Sequence, residues 1–331
     1  MKRALFLILR VAISVALIGF VLFKVGIGNA LSQFRYANLP FIGLAALLFL
    51  ISNLFGAGQW SLLLRVQKIR LPLRHLVSLY FVGVFFNNFM VGNIGGDAVR
   101  IYFTSKLTKD TGGAFAGTFS DRFIGLLTLT GFSFLSFFLA PEFEGSSTVF
   151  ILILCIILGL SFVVALSVSQ TVGKPVAKLV AIFGPEKLKS QLKGIRQGLL
   201  QYRSQGRLLG RVFILSLGIQ ILRITVHYVI GLSLGINVPF RYFLIFIPLI
   251  AVFSAIPVSF GGLGVREGFG VFLFGRLGVD TSLAFSMELL AYLVCLLASL
   301  PGGVIFIFQK LGEKGDGGGK QGAFSCNSSS E

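Results

Sequence analysis

Charged side chains are scarce in this sequence. Asp, Glu, Lys and Arg together make up 12% of its 331 residues, about half the share found in soluble globular domains. Hydrophobic residues make up 55% and the mean hydropathy is +0.90, so several runs of about 20 apolar residues must cross a bilayer. A soluble fold is therefore excluded. Stretches such as 149–168 are apolar without alternation, which excludes an outer-membrane barrel and predicts an all-α integral membrane protein.

Cysteine and catalytic motifs are equally sparse. The three cysteines, Cys155, Cys295 and Cys326, show neither paired spacing nor a metal-binding pattern, so we expect no disulfide framework and no metal site. The metalloprotease, nucleophile-elbow and nucleotide-binding loop motifs are absent. The acidic pair Glu142 and Glu144 lies in a loop too short to build a catalytic centre. We therefore expect no enzyme activity and no cofactor.

Acidic residues are much rarer than basic ones, 12 against 29, which gives a formal charge of +17. No nucleic-acid motif accompanies this charge, so we expect no nucleic-acid partner. In a membrane protein the excess indicates basic cytoplasmic loops. The basic stretch 171–207 carries eight Lys/Arg against Glu186 alone. Its apolar residues recur at helical spacing, which fits an amphipathic helix on the anionic cytoplasmic leaflet or, equally, a solvated helical hairpin.

Six full membrane spans are predicted, and the positive-inside rule places both termini in the cytoplasm of a bacterial or archaeal cell with the spans in its inner membrane. Residues 1–310 form a single transmembrane domain with repeat halves 1–140 and 149–310. Residues 311–331, rich in Gly, Ser and Lys, are expected to be a disordered tail. The predicted spans are 4–23, 41–62, 114–140, 149–170, 209–234 and 281–308.

Two further apolar regions, 76–105 and 242–274, each contain a Gly-rich break and predict broken, re-entrant hairpins. A helix break is tolerated at membrane depth only where the protein or a water-filled cavity provides hydrogen bonds to the free backbone groups. The breaks carry similar motifs, GGDAVR at 95–100 and GGLGVR at 261–266, offset by 166 residues. Each half has three full crossings, so the second half enters the membrane from the opposite side. The sequence therefore predicts an inverted repeat, an architecture that recurs in secondary transporters.

The Gly-rich motifs carry the candidate substrate site. Their glycines precede short helical stretches, whose free backbone N–H groups and dipole favour an anion. Arg100 and Arg266 oppose that dipole from the first turn and need compensation near the bilayer core. Either the phosphate of a substrate or salt bridges to internal acids would provide it. The glycines are Gly95, Gly96, Gly261 and Gly262.

Further ionisable residues complete the predicted site. Asp97 and Glu267 either take part in substrate binding or cap the helices that they begin. Arg223 and His227 are four residues apart, so they share one face of the fifth span and can meet an acid in the bundle interior. The residues predicted to balance charge or to gate the cavity are Asp121, Arg122, Arg223, His227 and Glu288. Three aromatic residues are expected to anchor the protein at the membrane interface: Trp60, Tyr80 and Tyr102.

At these residues the sequence resembles the transmembrane region of the lysylphosphatidylglycerol synthase family. The resemblance covers residues 5–310 and rests on PVSFGGLGVREG at 257–268, NIGGDAVR at 93–100 and Asp121-Arg122. It implies a flippase-like protein that moves a phosphate-bearing lipid between leaflets. Phospholipids, aminoacyl-phosphatidylglycerol and polyprenyl- or hopanoid-type lipids are all open as substrates. The chain ends soon after its last span, so we expect no soluble aminoacyltransferase domain.

Two other functions stay open at this point. One is a membrane scaffold or accessory subunit that recruits a lipid- or glycan-modifying enzyme through the basic stretch 171–207. The other is a transporter of small ions, which would not depend on a lipid headgroup. The sequence also leaves open whether the protein forms a homodimer.

Overall fold

The structure is a computed structural model, which describes residues 34–35, 37–89, 95–138, 147–168, 198, 200–202, 205–255 and 262–315. Within these ranges the chain forms helices and turns and no strand. The first predicted span, most of the basic stretch 171–207, Gly261 and the end of the predicted tail lie outside the described residues. The helices, numbered in chain order, are α1 (Leu39–Val66), α2 (Leu73–Phe89), α3 (Gly95–Thr108), α4 (Thr111–Phe137), α5 (Ser147–Val168), α6 (Gly206–Ser233), α7 (Phe240–Ala255), α8 (Val265–Gly275) and α9 (Thr281–Gly315).

The helices begin and end where the local sequence provides a cap. Pro40 lies in the first turn of α1, where its missing N–H leaves no helical hydrogen bond unmade. Asp110 precedes α4, and its carboxylate accepts a hydrogen bond from the N–H of Gly113 at 2.8 Å. Gly235 follows α6 with a φ of 77°, a conformation that glycine adopts without strain.

The described helices confirm the all-α prediction, and α1, α4, α5, α6 and α9 correspond to five of the predicted spans. By length and composition, α1, α6 and Thr281–Phe308 of α9 can cross a membrane. One predicted boundary was wrong, because α9 continues to Gly315, five residues into the expected tail. Leu, Glu and Lys support helix there, and the run of glycines that opposes it begins only at Gly317.

Helix positions follow the repeat. A shift of 166 residues moves α1 to 205–232 and α2 to 239–255, and the observed α6 and α7 are Gly206–Ser233 and Phe240–Ala255. Contacts between helices obey the same rule. α1 packs against its equivalent α6, whereas α2 packs against α9 and α7 against α4. Because α4 and α9 are also equivalent, these two contacts exchange under the repeat, as expected for two halves related by a pseudo-two-fold axis.

The distribution of side chains is that of a bundle in lipid. Large apolar side chains remain on the outer surface, and Ile214 and Leu297 are 68% and 63% exposed. Hydroxyl groups instead link helices inside, where Thr128 of α4 donates to Ser216 of α6 at 3.0 Å. Small and hydroxyl-bearing residues hold helices together in membranes because apolar contact with lipid is as favourable as contact between helices.

Two close backbone approaches depend on glycine. At Gly302 of α9, an added Cβ would lie 2.1 Å from the carbonyl oxygen of Phe81 in α2. At Gly96, inside the first broken hairpin, it would lie 1.8 Å from the carbonyl oxygen of Gly83. Neither site accepts a side chain without moving backbone. The first contact joins the two halves, and the second closes the hairpin between α2 and α3.

We expect Gly302→Ala to destabilise the protein by about 1–3 kcal/mol, since the new methyl group must push α9 away from α2. Thermal unfolding of the purified protein, followed by the loss of monodisperse protein after heating, measures this effect. Gly131→Ala in α4 is the matched control, because nothing lies within 4 Å of its added Cβ. Alanine favours helix over glycine, so the control should be neutral or stabilising. Equal losses in both variants would contradict the close approach.

Candidate functional site

Arg100 of α3 lies at the centre of a buried ionic network. The residue is only 4% exposed. Its Nη2 donates to Oδ1 of Asp97 at 2.6 Å, and its Nη1 donates to Oδ2 of Asp121 at 3.1 Å. Asp97 lies three residues earlier on α3 and Asp121 lies on α4, so the guanidinium joins these two helices. This arrangement corresponds to the internal salt bridges that the sequence left open as one alternative for Arg100.

Two aromatic rings enclose the same guanidinium. Cζ of Arg100 lies 5.0 Å from the ring centroid of Trp60 and 4.8 Å from that of Tyr80, both within cation–π range. Nε1 of Trp60 donates to the hydroxyl of Thr118 at 3.2 Å. The prediction that Trp60 and Tyr80 anchor the protein at the interface was therefore wrong, because both rings are buried against Arg100. Tyr102 is largely exposed.

Arg122 of α4 completes this network on its more exposed side. Its Nε and Nη2 lie 2.8 and 2.7 Å from Oδ2 of Asp97, and its side chain is 40% exposed. Nε2 of Gln59 donates to the remaining oxygen of Asp121 at 2.9 Å. Two arginines thus balance two aspartates. The described contacts of Asp97 are with arginines, so the helix-capping alternative for this residue was wrong.

The first Gly pair uses its backbone inside the protein. The N–H of Gly96 donates to Oδ1 of Asn87 at 2.8 Å, so this predicted anion-binding amide already has an internal acceptor. Asn87 lies near the end of α2, where it faces the start of α3. Together with the occupied guanidinium of Arg100, this contact takes up one of the donors that the sequence offered to an anion.

Arg266, in the second hairpin, has fewer hydrogen-bond partners among the described residues than Arg100. The N–H of Gly264 donates to Oε2 of Glu267 at 2.6 Å, which confirms capping for this glutamate. Nη2 of Arg266 lies 3.6 Å from the other oxygen of Glu267, beyond hydrogen-bond distance. Cζ of Arg266 lies 4.7 Å from the ring centroid of Tyr292. Among the described residues, Nε and Nη2 of Arg266 have no hydrogen-bond partner.

The repeat explains this difference between the two arginines. Shifting by 166 residues places Leu263 at the position of Asp97 and Met287 at the position of Asp121. The second half therefore lacks both of the carboxylates that hold Arg100. Its acid is Glu288, one residue further along the helix, which corresponds to a rotation of about 100° around the helix axis. That rotation directs the carboxylate away from the equivalent of the first network.

Glu288 meets α6 instead. Its side chain is fully buried, and its Oε1 lies 3.6 Å from Nδ1 of His227. The predicted meeting of His227 with an interior acid is thus present. Arg223, one turn earlier on α6, forms no ion pair with an acid in the described ranges. Its Nη2 lies 3.4 Å from both Oδ1 of Asn53 and the hydroxyl oxygen of Tyr80.

The two halves meet at Tyr80, whose ring lies against Arg100 and whose hydroxyl group contacts Arg223. A second link joins α9 to α2, since the hydroxyl of Tyr292 donates to the carbonyl of Asn88 at 3.3 Å. The described ranges contain no cluster of three His, Cys, Asp or Glu side chains placed to hold a metal ion. Sequence reasoning missed several polar residues within apolar runs as parts of these contacts, namely Asn53, Gln59, Asn87 and Asn88.

Fold and site together define a polytopic helical membrane protein with a buried charged cluster within each of its two repeated halves. The profile of the lysylphosphatidylglycerol synthase TM region matches residues 7–303, and the chain belongs to this family. A UPF0104 membrane protein of Pyrococcus horikoshii is 27% identical over 323 residues, which cover 90% of this chain and 96% of that relative. A UPF0104 membrane protein of Methanothermobacter thermautotrophicus is 27% identical over 311 residues, covering 84% and 86%. These findings confirm the predicted family.

We expect Asp121→Asn to lower the free energy of unfolding by about 3 kcal/mol, because it removes a buried countercharge of Arg100. Arg122→Gln, in the same network, should cost less than about 1 kcal/mol, since its side chain is partly exposed and water screens its charge. Chemical or thermal unfolding of the purified variants in one detergent compares them. Equal losses in the free energy of unfolding would show that burial of a charged side chain does not determine its contribution to stability here.

Proposed function

We propose that this protein is a flippase that moves a phosphate-bearing lipid between leaflets, and that it transports rather than catalyses. Its membership of the lysylphosphatidylglycerol synthase TM family supports a role at lipids. The broken hairpins and the pseudo-two-fold arrangement are typical of transporters that expose one site to alternate sides. The lipid would be a phospholipid, an aminoacyl-phosphatidylglycerol or a polyprenyl- or hopanoid-type lipid phosphate.

The observation that carries this proposal is the small number of hydrogen-bond partners around the guanidinium of Arg266. Two of its nitrogens lack a hydrogen-bond partner among the described residues, although the side chain is only 16% exposed. A buried arginine with free donors is costly, and its planar fork matches two oxygens of a phosphate. Arg266 also lies in the first turn of α8, where the backbone dipole favours an anion. We assign the lipid phosphate to this position.

Arg100 takes a different role in this conformation. Its two carboxylate partners and its aromatic neighbours leave it no room for a phosphate, so it holds the first half closed. Movement of one repeat against the other would separate Arg100 from its partners and enclose Arg266 instead. Arg100 would then bind the phosphate after release from Asp97 and Asp121. The remaining ionisable residues, including Arg122 and Glu267, would balance charge during this change.

The orientation and partners of the protein form part of the same proposal. We place both termini in the cytoplasm and the spans in the inner membrane of an archaeal or bacterial cell. The basic stretch 171–207, which lies outside the described residues for most of its length, would contact the anionic cytoplasmic leaflet. Electrostatic attraction to anionic lipids would then stabilise this orientation.

Redistribution of fluorescent phospholipids between the leaflets of proteoliposomes tests the proposal. We expect Arg266→Gln to slow this movement by about tenfold or more, because a charged bidentate hydrogen bond to phosphate contributes about 1.5–3 kcal/mol. Arg276→Gln is the matched control, since Arg276 is exposed at the other end of the same helix. The control should move lipid at the wild-type rate.

Other outcomes would overturn the assignment. Equal rates in wild type and Arg266→Gln would exclude Arg266 as the phosphate site. No movement in wild type, with headgroups varied from phosphatidylglycerol to a polyprenyl phosphate, would favour the scaffold function. Ion flux without lipid movement would favour an ion transporter.

A further inference from the structure

Glu288 is the least satisfied acid in the described part of the chain. Its side chain is fully buried, and neither carboxylate oxygen has a hydrogen-bond partner among the described residues. Nδ1 of His227 lies 3.6 Å from Oε1 of Glu288, and it also lacks a hydrogen bond among the described residues. The backbone of α8 lies directly against this glutamate, because a Cβ added at Gly270 would be 2.5 Å from its Cγ.

An ionised carboxylate in such surroundings is costly unless a donor or a positive charge compensates it. Two arginines lie nearby, yet each is directed elsewhere. Arg223 contacts Asn53 and Tyr80, while Arg266 lies against Tyr292. Neither forms a hydrogen bond or ion pair with Glu288 in this conformation. A single proton held between Glu288 and His227 removes the cost.

The elements packed against α9 bring few other charges to this region. α6 contributes His227 and Arg223, and α8 contributes Arg266 and Glu267. α1 and α2 reach it through Asn53 and Tyr80, which contact Arg223 and carry no charge at neutral pH. In the described part of the chain, α9 itself adds Tyr292 against Arg266 and Cys295 within electrostatic reach of Glu288.

We propose that Glu288 and His227 form a proton-binding site, and that the proton binds together with the lipid phosphate. Uptake takes one proton from water and changes the charge of the pair from −1 to zero. The proton then lies on the carboxyl group, whose Oε1 lies 3.6 Å from Nδ1 of His227. His227 remains 16% exposed, so it is the member through which the proton enters and leaves.

The coupling follows from the positive charges around the site. Arg223 and Arg266 are the positive charges nearby, and either can replace the proton if it moves toward the carboxylate. A phosphate bound to Arg266 neutralises that arginine and so favours proton uptake. By linkage, the proton strengthens phosphate binding to the same degree. This coupling rests on the proposed lipid transport, whereas the proton site does not.

Infrared difference spectra of the purified protein, recorded against pH in detergent without any lipid assay, test the site. We expect wild type to show the carbonyl band of a protonated carboxylic acid that Glu288→Gln lacks. Asp280→Asn is the matched control, because Asp280 is an exposed carboxylate just before the same helix. This control should keep the band. His227→Gln should keep it as well, but with a changed pH dependence.

Several results would overturn the site. A band of equal size in wild type and Glu288→Gln would assign the proton to another acid. A missing band in wild type, with sodium-dependent thermal stabilisation that Glu288→Gln loses, would identify a metal-cation site instead. If Glu288→Gln does not fold, an unchanged pH dependence of the band in His227→Gln would contradict the shared proton.

Proteoliposomes with an imposed pH difference test the coupling. Wild type should accumulate labelled lipid in one leaflet under the gradient, whereas Glu288→Gln should only equilibrate it. Lipid movement that responds to the gradient equally in both proteins would overturn the coupling. The infrared band without any lipid movement would reject the proposed transport and leave the proton site intact.

Discussion

An ionised side chain inside a membrane protein needs a compensating partner, and this constraint organises the molecule. Arg100 meets it with two aspartates and two aromatic rings, which come from four different helices. Those helices must therefore stay in register if the guanidinium is to remain paired. The close approach of Gly96 to Gly83 belongs to the same arrangement, because the stem of Arg100 also packs against Gly83, where an added Cβ would lie 2.7 Å from its Cγ.

The two halves have helices at equivalent positions, but different side chains surround their two arginines. Arg100 and Arg266 follow equivalent Gly pairs, yet the positions of Asp97 and Asp121 are occupied by Leu263 and Met287 in the second half. One arginine is thus held internally, while two nitrogens of the other have no hydrogen-bond partner among the described residues. The same backbone arrangement therefore presents two different sites, and the proposed transport rests on this difference.

Several parts of the site could be predicted from the sequence, and the failures have physical reasons. The all-α class and the approximate positions of five spans followed from hydropathy, and helical spacing placed His227 on a helix face that could meet Glu288 or Asp121. Trp60 and Tyr80 were misplaced because their residue types are common at membrane interfaces, while the direction of a ring depends on the neighbouring helix. Gln59 and Asn53 gave no local signal of their partners, which lie far along the chain.

The sequence by itself determined the membrane class, the five predicted spans that the structure describes and the 166-residue offset between the halves, because hydropathy and glycine act locally on the backbone. Only the tertiary structure decided which charges meet. Asp121 pairs with Arg100, and Glu288 does not pair with Arg266, although all four residues are ionisable and lie close to equivalent positions. The reason is geometric. A shift of one residue along a helix rotates a carboxylate by about 100°, and the helix that it then faces determines its partner.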